Sequence, residues 1–169
     1  MRNKELESTL GEDFAFMKRK PGDRSSCYQR YGCGCGDGWY QLIHDLCVEI
    51  AAAYSRAGRE PDIIVEQIKE KFAKLRFYYR FEGASMKLVI DFLGSGTLRF
   101  DPTDESISED VKALRAEIKS IVRRYEEKSG TVCEYCSGEG SLRKLPLNNY
   151  TYFKTLCGEC FSNALEKRK

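Results

Sequence analysis

The sequence has little histidine, little tryptophan, little net charge and no long apolar run. It has one histidine and one tryptophan among 169 residues, and its formal net charge is +2. A charge this small does not by itself indicate a nucleic-acid partner. No stretch approaches the roughly 20 apolar residues of a membrane span, and the opening residues lack the apolar core of a signal peptide. These absences predict a cytoplasmic protein whose thiols are kept reduced.

Catalytic signatures are also missing. There is no phosphate-binding loop and no dinucleotide fingerprint. Asp37, Asp45 and Glu49 lie near His44 in the sequence, but nothing places a nucleophile beside them. A histidine among apolar helix residues commonly packs or hydrogen-bonds. The sequence therefore predicts a protein that is not an enzyme, and the alternative would need a site in the "CGCGDGW" region around His44.

Cysteine, in contrast, is abundant, with 8 residues. Four of them, Cys133, Cys136, Cys157 and Cys160, follow the spacing C-x2-C-x20-C-x2-C. This spacing is typical of zinc sites, in which two tight turns each supply two thiolates to one tetrahedral ion. All four positions are then taken by sulfur, which leaves no place for a reactive water. The pattern predicts a structural zinc ribbon.

The other four cysteines give a weaker pattern. Cys27, Cys33, Cys35 and Cys47 are spaced C-x5-C-x-C-x11-C. A second zinc site is one interpretation, with His44 replacing one ligand. The other is that Cys47 lies on the buried face of a helix and the rest are ordinary thiols. One zinc ion is predicted and a second is left open.

Periodicity and turn residues divide the chain into three parts. Residues 1–36 are read as a Cys/Gly-rich loop region, 37–130 as an α+β core and 131–169 as the zinc-ribbon module. One helix is expected from an Asp37 N-cap to Gly58. Another is expected from a Ser106–Glu109 capping box to Gly130, either packed on the core or in a short coiled coil.

Strands are predicted where apolar residues alternate. Residues 75–81 have period two, and with 86–93 and 97–100 they predict a three-stranded antiparallel meander. Residues 62–74 are ambiguous between helix and strand, and the spacing of Val65, Ile68 and Phe72 favours a helix. The expected fold class is α+β, with a small antiparallel sheet, two or three helices and a C-terminal zinc ribbon.

A basic and aromatic segment, "QIKEKFAKLRFYYRF", precedes and includes the predicted strand. On that strand the face opposite the core carries Arg76, Tyr78 and Arg80, and Lys74 comes just before it. Guanidinium groups around a phenol ring can hold phosphates and stack a base. The plainer interpretation is a solvated strand face.

Three phrases together, "GDGWYQLIHDLC", "QIKEKFAKLRFYY" and the closing "CEYC…LCGEC", resemble a family of small phage and bacterial proteins. Ala73 stands where such proteins often have glycine. The family has no assigned activity, so the resemblance implies an accessory protein of a phage or mobile element, and hence the host cytoplasm, but no substrate.

Two functions remain as hypotheses. The first is a non-enzymatic zinc-binding protein that binds nucleic acid or nucleotides through Lys74, Arg76, Tyr78 and Arg80. The alternative is a protein-interaction module that inhibits a host defence protein through the ribbon and the loop around Trp39, or that sequesters a nucleotide signal.

Overall fold

A computed structural model describes Met1 and residues 3–83, 107–147 and 150–166. The α-helices are α1 (Lys4–Asp13), α2 (Cys27–Tyr31), α3 (Tyr40–Arg56), α4 (Glu109–Lys128) and α5 (Gly158–Glu166). The strands are β1 (Cys33–Gly34), β2 (Ile63–Lys71), β3 (Lys74–Phe81), β4 (Ser141–Leu147) and β5 (Tyr150–Leu156). The predicted α+β class is confirmed. No helix in these ranges is both long and apolar enough to cross a membrane.

The larger sheet has the order β1-β2-β3. Strands β2 and β3 form an antiparallel hairpin, and β1 pairs with β2 in parallel. The strand predicted at residues 75–81 is confirmed, whereas those predicted at 86–93 and 97–100 lie outside the described residues. The hairpin turns at Phe72 and Ala73, whose φ angles are +54° and +62°. Two positive φ values are the requirement of a type I′ turn, which glycine and asparagine adopt most easily.

The helix favoured for residues 62–74 is wrong, because this segment is strand β2. The buried positions are Ile63, Val65 and Ile68. A register shift between Val65 and Gln67 inserts one extra residue into the strand. A bulge of this kind changes the apolar spacing from two to three, which imitates a helix in the sequence.

The N-terminal segment is more regular than the predicted loop. It contains α1 and α2, and the side chain of Asn3 caps α1 by accepting a hydrogen bond from the Glu5 backbone N–H. Leu10, Met17 and Tyr28 are fully buried in the same core as α3 and the sheet. The apolar signal of α1 is weak because it is a ten-residue helix with few core-facing positions.

Both long helices were expected, but their N-termini differ from the prediction. Helix α3 begins at Tyr40 after a 3-10 turn at Asp37–Trp39, so Asp37 is not its cap. Helix α4 begins after Ser108, and Ser106 lies outside the described residues. The apolar residues along one side of α4 pack on the core, as one of the two predicted alternatives requires. Leu114, Ile118, Ile121 and Tyr125 are buried.

Helix α4 and the turn after it also cover the free edge of β3. The backbone N–H of Leu75 donates to Ser129 Oγ at 2.9 Å, and that of Phe77 donates to Glu126 Oε1 at 2.9 Å. An uncovered edge would leave these donors without partners and open to pairing with another chain. The position of α4 is therefore fixed by polar contacts as well as by its apolar stripe.

Replacing Ser129 with alanine tests this edge contact. Ser129 is fully buried, so Ser129→Ala leaves the Leu75 N–H without its acceptor, and we expect a loss of about 1–3 kcal/mol in the free energy of unfolding. Urea unfolding measures it. Ser120→Ala, at an exposed position of the same helix, is the control and should change stability little. Equal effects of the two variants would contradict the contact.

Candidate metal centre and basic-aromatic face

The four C-terminal cysteines converge on one point. The Sγ atoms of Cys133, Cys136, Cys157 and Cys160 all lie within 4.8 Å of one another. Cys136 Sγ and Cys157 Sγ are 3.6 Å apart. An ideal tetrahedron with Zn–S bonds of ~2.3 Å has S···S distances of about 3.8 Å. The group could therefore hold a metal ion, and its donors are all sulfur.

Two turns present these sulfurs. In the first, Ser137 has φ +64° and its N–H donates to the Cys133 carbonyl at 3.0 Å. In the second, at the start of α5, the Cys160 N–H donates to Cys157 Sγ at 3.3 Å. The β4–β5 hairpin between the turns brings them together, as the ribbon prediction requires. The sequence therefore folds locally into the two-turn arrangement that a tetrahedral ion needs.

The thiols influence one another in a way that favours a cation. Burial raises the pKa of Cys133, but backbone N–H groups from Cys157, Cys136 and Tyr135 outweigh it, and the pKa falls to about 7. Burial and then the three neighbouring thiols raise the pKa of Cys160. One thiolate is thus stabilised by the backbone while the last is opposed by its neighbours. A divalent ion at the centre removes that opposition.

The "GDGW" phrase is explained by its contact with the first cysteine-bearing turn, which carries Cys133 and Cys136. A Cβ on Gly38 would lie 2.5 Å from the Cys133 carbonyl oxygen, and one on Gly36 would lie 2.2 Å from that of Glu134. Only glycine allows so close an approach. Trp39 is fully buried and its indole N–H donates to the Val132 carbonyl at 2.8 Å. The Trp39 side chain is therefore covered by the ribbon, and the partner-binding role considered for the loop around it stays a prediction.

A buried charge network joins the same turn to the β2–β3 hairpin. Glu134 is 1% exposed, and its carboxylate accepts the Gly36 N–H at 2.9 Å. Lys154 Nζ lies 2.7 Å from Glu134 and 3.1 Å from Glu70 Oε2. Burial opposes the charge on Lys154, but the two carboxylates outweigh it and raise its pKa. Thr155 Oγ1 also donates to the Ala73 carbonyl at 2.6 Å.

The residues of the alternative second metal site are not brought together as a ligand set. Among the described residues, Cys133, Cys136, Cys157 and Cys160 are the one group of three or more donors with metal-site geometry. Cys27 is exposed, whereas Cys33, Cys35 and Cys47 are buried. Burial raises the pKa of Cys35 to about 12 and opposes ionisation of Cys33 and Cys47 as well. His44 Nε2 instead lies 3.3 Å from Asp13 Oδ2.

The predicted basic residues of β3 lie on one face of the hairpin. The strand register places Arg76 opposite Lys69, Tyr78 opposite Gln67, and Lys74 opposite Lys71. Arg80 is on the same face, but its Nε donates to Glu66 Oε1 at 2.7 Å. Its charge is thus already paired. We call Lys69, Lys71, Lys74, Arg76 and Tyr78 the basic-aromatic face.

Lys69 and Lys71 were missed as site residues because the helix favoured for 62–74 hid their register. Lys69 Nζ lies 5.3 Å from the centre of the Tyr78 ring, within the range of a cation–π contact. If residues 62–74 had been predicted as a strand paired with 75–81, the period-two pattern would have put Lys69 and Lys71 on one face. That face is the one that carries Arg76 and Lys74 on the neighbouring strand.

Comparison with protein-family models, curated proteins and solved structures finds no match to this chain. Evidence for the function of this chain therefore comes from the geometry of its two sites.

Replacement of one sulfur tests the metal centre. Cys133→Ser removes a ligand that is fully buried, and we expect the metal content to fall from about one ion per chain to near zero. Native mass spectrometry measures it. Cys27→Ser, an exposed cysteine outside the cluster, is the matched control and should leave metal content unchanged. Loss of metal in the control alone would assign the ion to the N-terminal cysteines.

A methyl group at Gly38 tests the contact between the "GDGW" loop and the ribbon. The new Cβ would meet the Cys133 carbonyl oxygen at 2.5 Å, so Gly38→Ala is expected to cost about 1–3 kcal/mol of unfolding free energy. Thermal and urea unfolding of the metal-loaded protein measure it. Gly158→Ala introduces the same methyl group beside Cys157, where nothing lies within 4 Å, and should be nearly neutral. A neutral Gly38→Ala would contradict the contact.

Proposed function

We propose that this protein is a non-enzymatic zinc-binding accessory protein, encoded by a phage or mobile element, that binds nucleic acid or nucleotides through its basic-aromatic face. The all-sulfur donor set and its tetrahedral spacing support zinc as the metal. No position on the ion is left for a substrate, so its role is structural. Ligand binding is then the task of the hairpin.

One observation carries the ligand assignment. Lys69 faces Arg76 and Lys71 faces Lys74 across the two strands. Like charges in directly opposite positions destabilise a sheet by a few tenths of a kcal/mol to about 1 kcal/mol each. None of these four residues has an acidic partner among the ion pairs of the described residues. A bound polyanion would offset the repulsion within both like-charge pairs.

A bound metal ion stabilises this face indirectly, because the ribbon that holds the ion contacts the hairpin tip. Glu70 and the Ala73 carbonyl, at the tip of the hairpin, contact Lys154 and Thr155 of the ribbon. The two-stranded ribbon is too small to be stable without help, and a bound ion supplies it. Removing the ion is therefore expected to loosen the hairpin tip and weaken ligand binding along with stability.

A protein-binding role through the ribbon is the second candidate, and the ribbon surface favours it. Leu142 is 61% exposed and Tyr150 is 78% exposed. These side chains lie on the β4–β5 hairpin and could contact a host protein. Its test is the Leu142→Ser, Tyr150→Ser double variant: a partner recovered by the wild type and lost by this variant would support it.

Reversing two charges tests the nucleic-acid proposal. Lys74→Glu with Arg76→Glu should lower the affinity for a labelled DNA oligonucleotide and reduce the slope of log K against log salt by about 1.5. The change also removes two like-charge pairs, so stability should not fall. Fluorescence anisotropy measures binding. Lys119→Glu with Arg123→Glu, on the exposed side of α4, makes the same change elsewhere and should have little effect. Equal loss in both variants would indicate attraction by total charge alone.

A further inference from the structure

The tip of the β2–β3 hairpin holds an aromatic side chain in an unfavourable place. Phe72 has φ +54°, in the left-handed region, and its side chain is 70% exposed. Left-handed backbone is costly for a residue with a Cβ, and most of all for a bulky one. The ring gains little in return: among the described residues its aromatic or cation contact is Lys71 Nζ, 5.5 Å from the ring centre. Neither folding nor packing accounts for a phenylalanine at this position.

Phe72 continues the basic-aromatic face at the end of the hairpin. It comes directly after Lys71 and is followed, across the turn, by Lys74. The second ring of the face, Tyr78, lies four residues further along β3, about 13 Å from Lys74 at the rise of an extended strand. Cations therefore lie beside both rings, and Lys69 Nζ is 5.3 Å from the Tyr78 ring centre. Rings that alternate with cations in this way match a chain of bases that alternate with phosphates.

We propose that the ligand of this face is single-stranded nucleic acid, with unpaired bases stacked on Phe72 and Tyr78 and phosphates held by Lys69, Lys71, Lys74 and Arg76. This inference rests on the proposed function and narrows its ligand from nucleic acid or nucleotides to single-stranded nucleic acid. In a duplex the bases are already stacked on each other, so the two rings would have nothing to bind. The face is also a strand pair without a helix to enter a major groove.

The rigidity of the tip fits this role. Behind Phe72, the Ala73 N–H donates to Glu70 Oε1 at 2.7 Å and the Ala73 carbonyl accepts from Thr155. The turn is thus held by its own strand and by the ribbon, while the Phe72 ring points away from burial. The backbone that carries the Phe72 ring therefore loses little conformational freedom when a base stacks on the ring.

The test compares binding of two DNA probes to the metal-loaded protein: an oligothymidylate of about 12 nucleotides and a duplex of the same length. We expect at least about tenfold tighter binding of the single strand. Phe72→Asn and Tyr78→Leu should each weaken binding of the single strand by about 5- to 150-fold and leave duplex binding unchanged.

Asparagine suits a left-handed turn, so Phe72→Asn should not destabilise the protein, and urea unfolding checks this. Tyr31→Asn is the matched control, because Tyr31 is 67% exposed and has the Arg30 guanidinium 5.7 Å from its ring centre. Its binding should equal that of the wild type. Equal affinity for both probes, or silent Phe72 and Tyr78 variants, would overturn the single-strand inference while the nucleic-acid proposal stands. Absence of binding to both probes would overturn both.

Discussion

The structure depends on how a buried carboxylate is satisfied. Glu134 lies between Cys133 and Cys136, the first two cysteines of the cluster, and is 1% exposed. A buried charge without partners costs several kcal/mol, so Glu134 is tolerable only where the Gly36 N–H and the Lys154 ammonium reach it. Lys154 in turn needs Glu70 at the hairpin tip. One charged group thus requires the "GDGW" loop, the ribbon and the hairpin to be in place together.

Because of this requirement, a metal ion in the four-cysteine cluster would have an effect beyond its own module. Among the described residues, the ribbon core has three buried apolar members, Cys133, Leu145 and Leu156, with partly buried residues of β5 and α5 packed against them. This is a small core for holding two turns in fixed positions. A metal ion that fixes the four sulfurs also fixes the backbone that presents Glu134. An ion held by all four sulfurs would therefore set the position of the Glu134 carboxylate, which through Lys154 reaches Glu70 at the hairpin tip.

Local patterns in the sequence were enough to predict some parts and not others. The cysteine spacing was enough to predict the four-cysteine cluster, and the strict alternation of apolar and polar residues was enough to predict β3. Both patterns depend on residues that are near in sequence. The bulge at Glu66 interrupts the period-two pattern in β2, so the sequence did not predict a strand there. The positions of Lys69 and Lys71 opposite β3 were therefore missed. The meaning of Gly36 and Gly38 could not be found from spacing either, since it arises from backbone roughly 100 residues away.

The small net charge of the chain says little about the hairpin face. The sequence has 28 basic and 26 acidic residues, which nearly cancel over the whole molecule. The fold does not distribute them evenly: Glu66, Glu70 and Glu134 are all engaged in pairs beside or behind the hairpin. A ligand at physiological ionic strength senses charges within about 8 Å. The four cations of the face have no ion-pair partner among the described residues, so a nearly neutral protein still offers a polyanion a local group of positive charges.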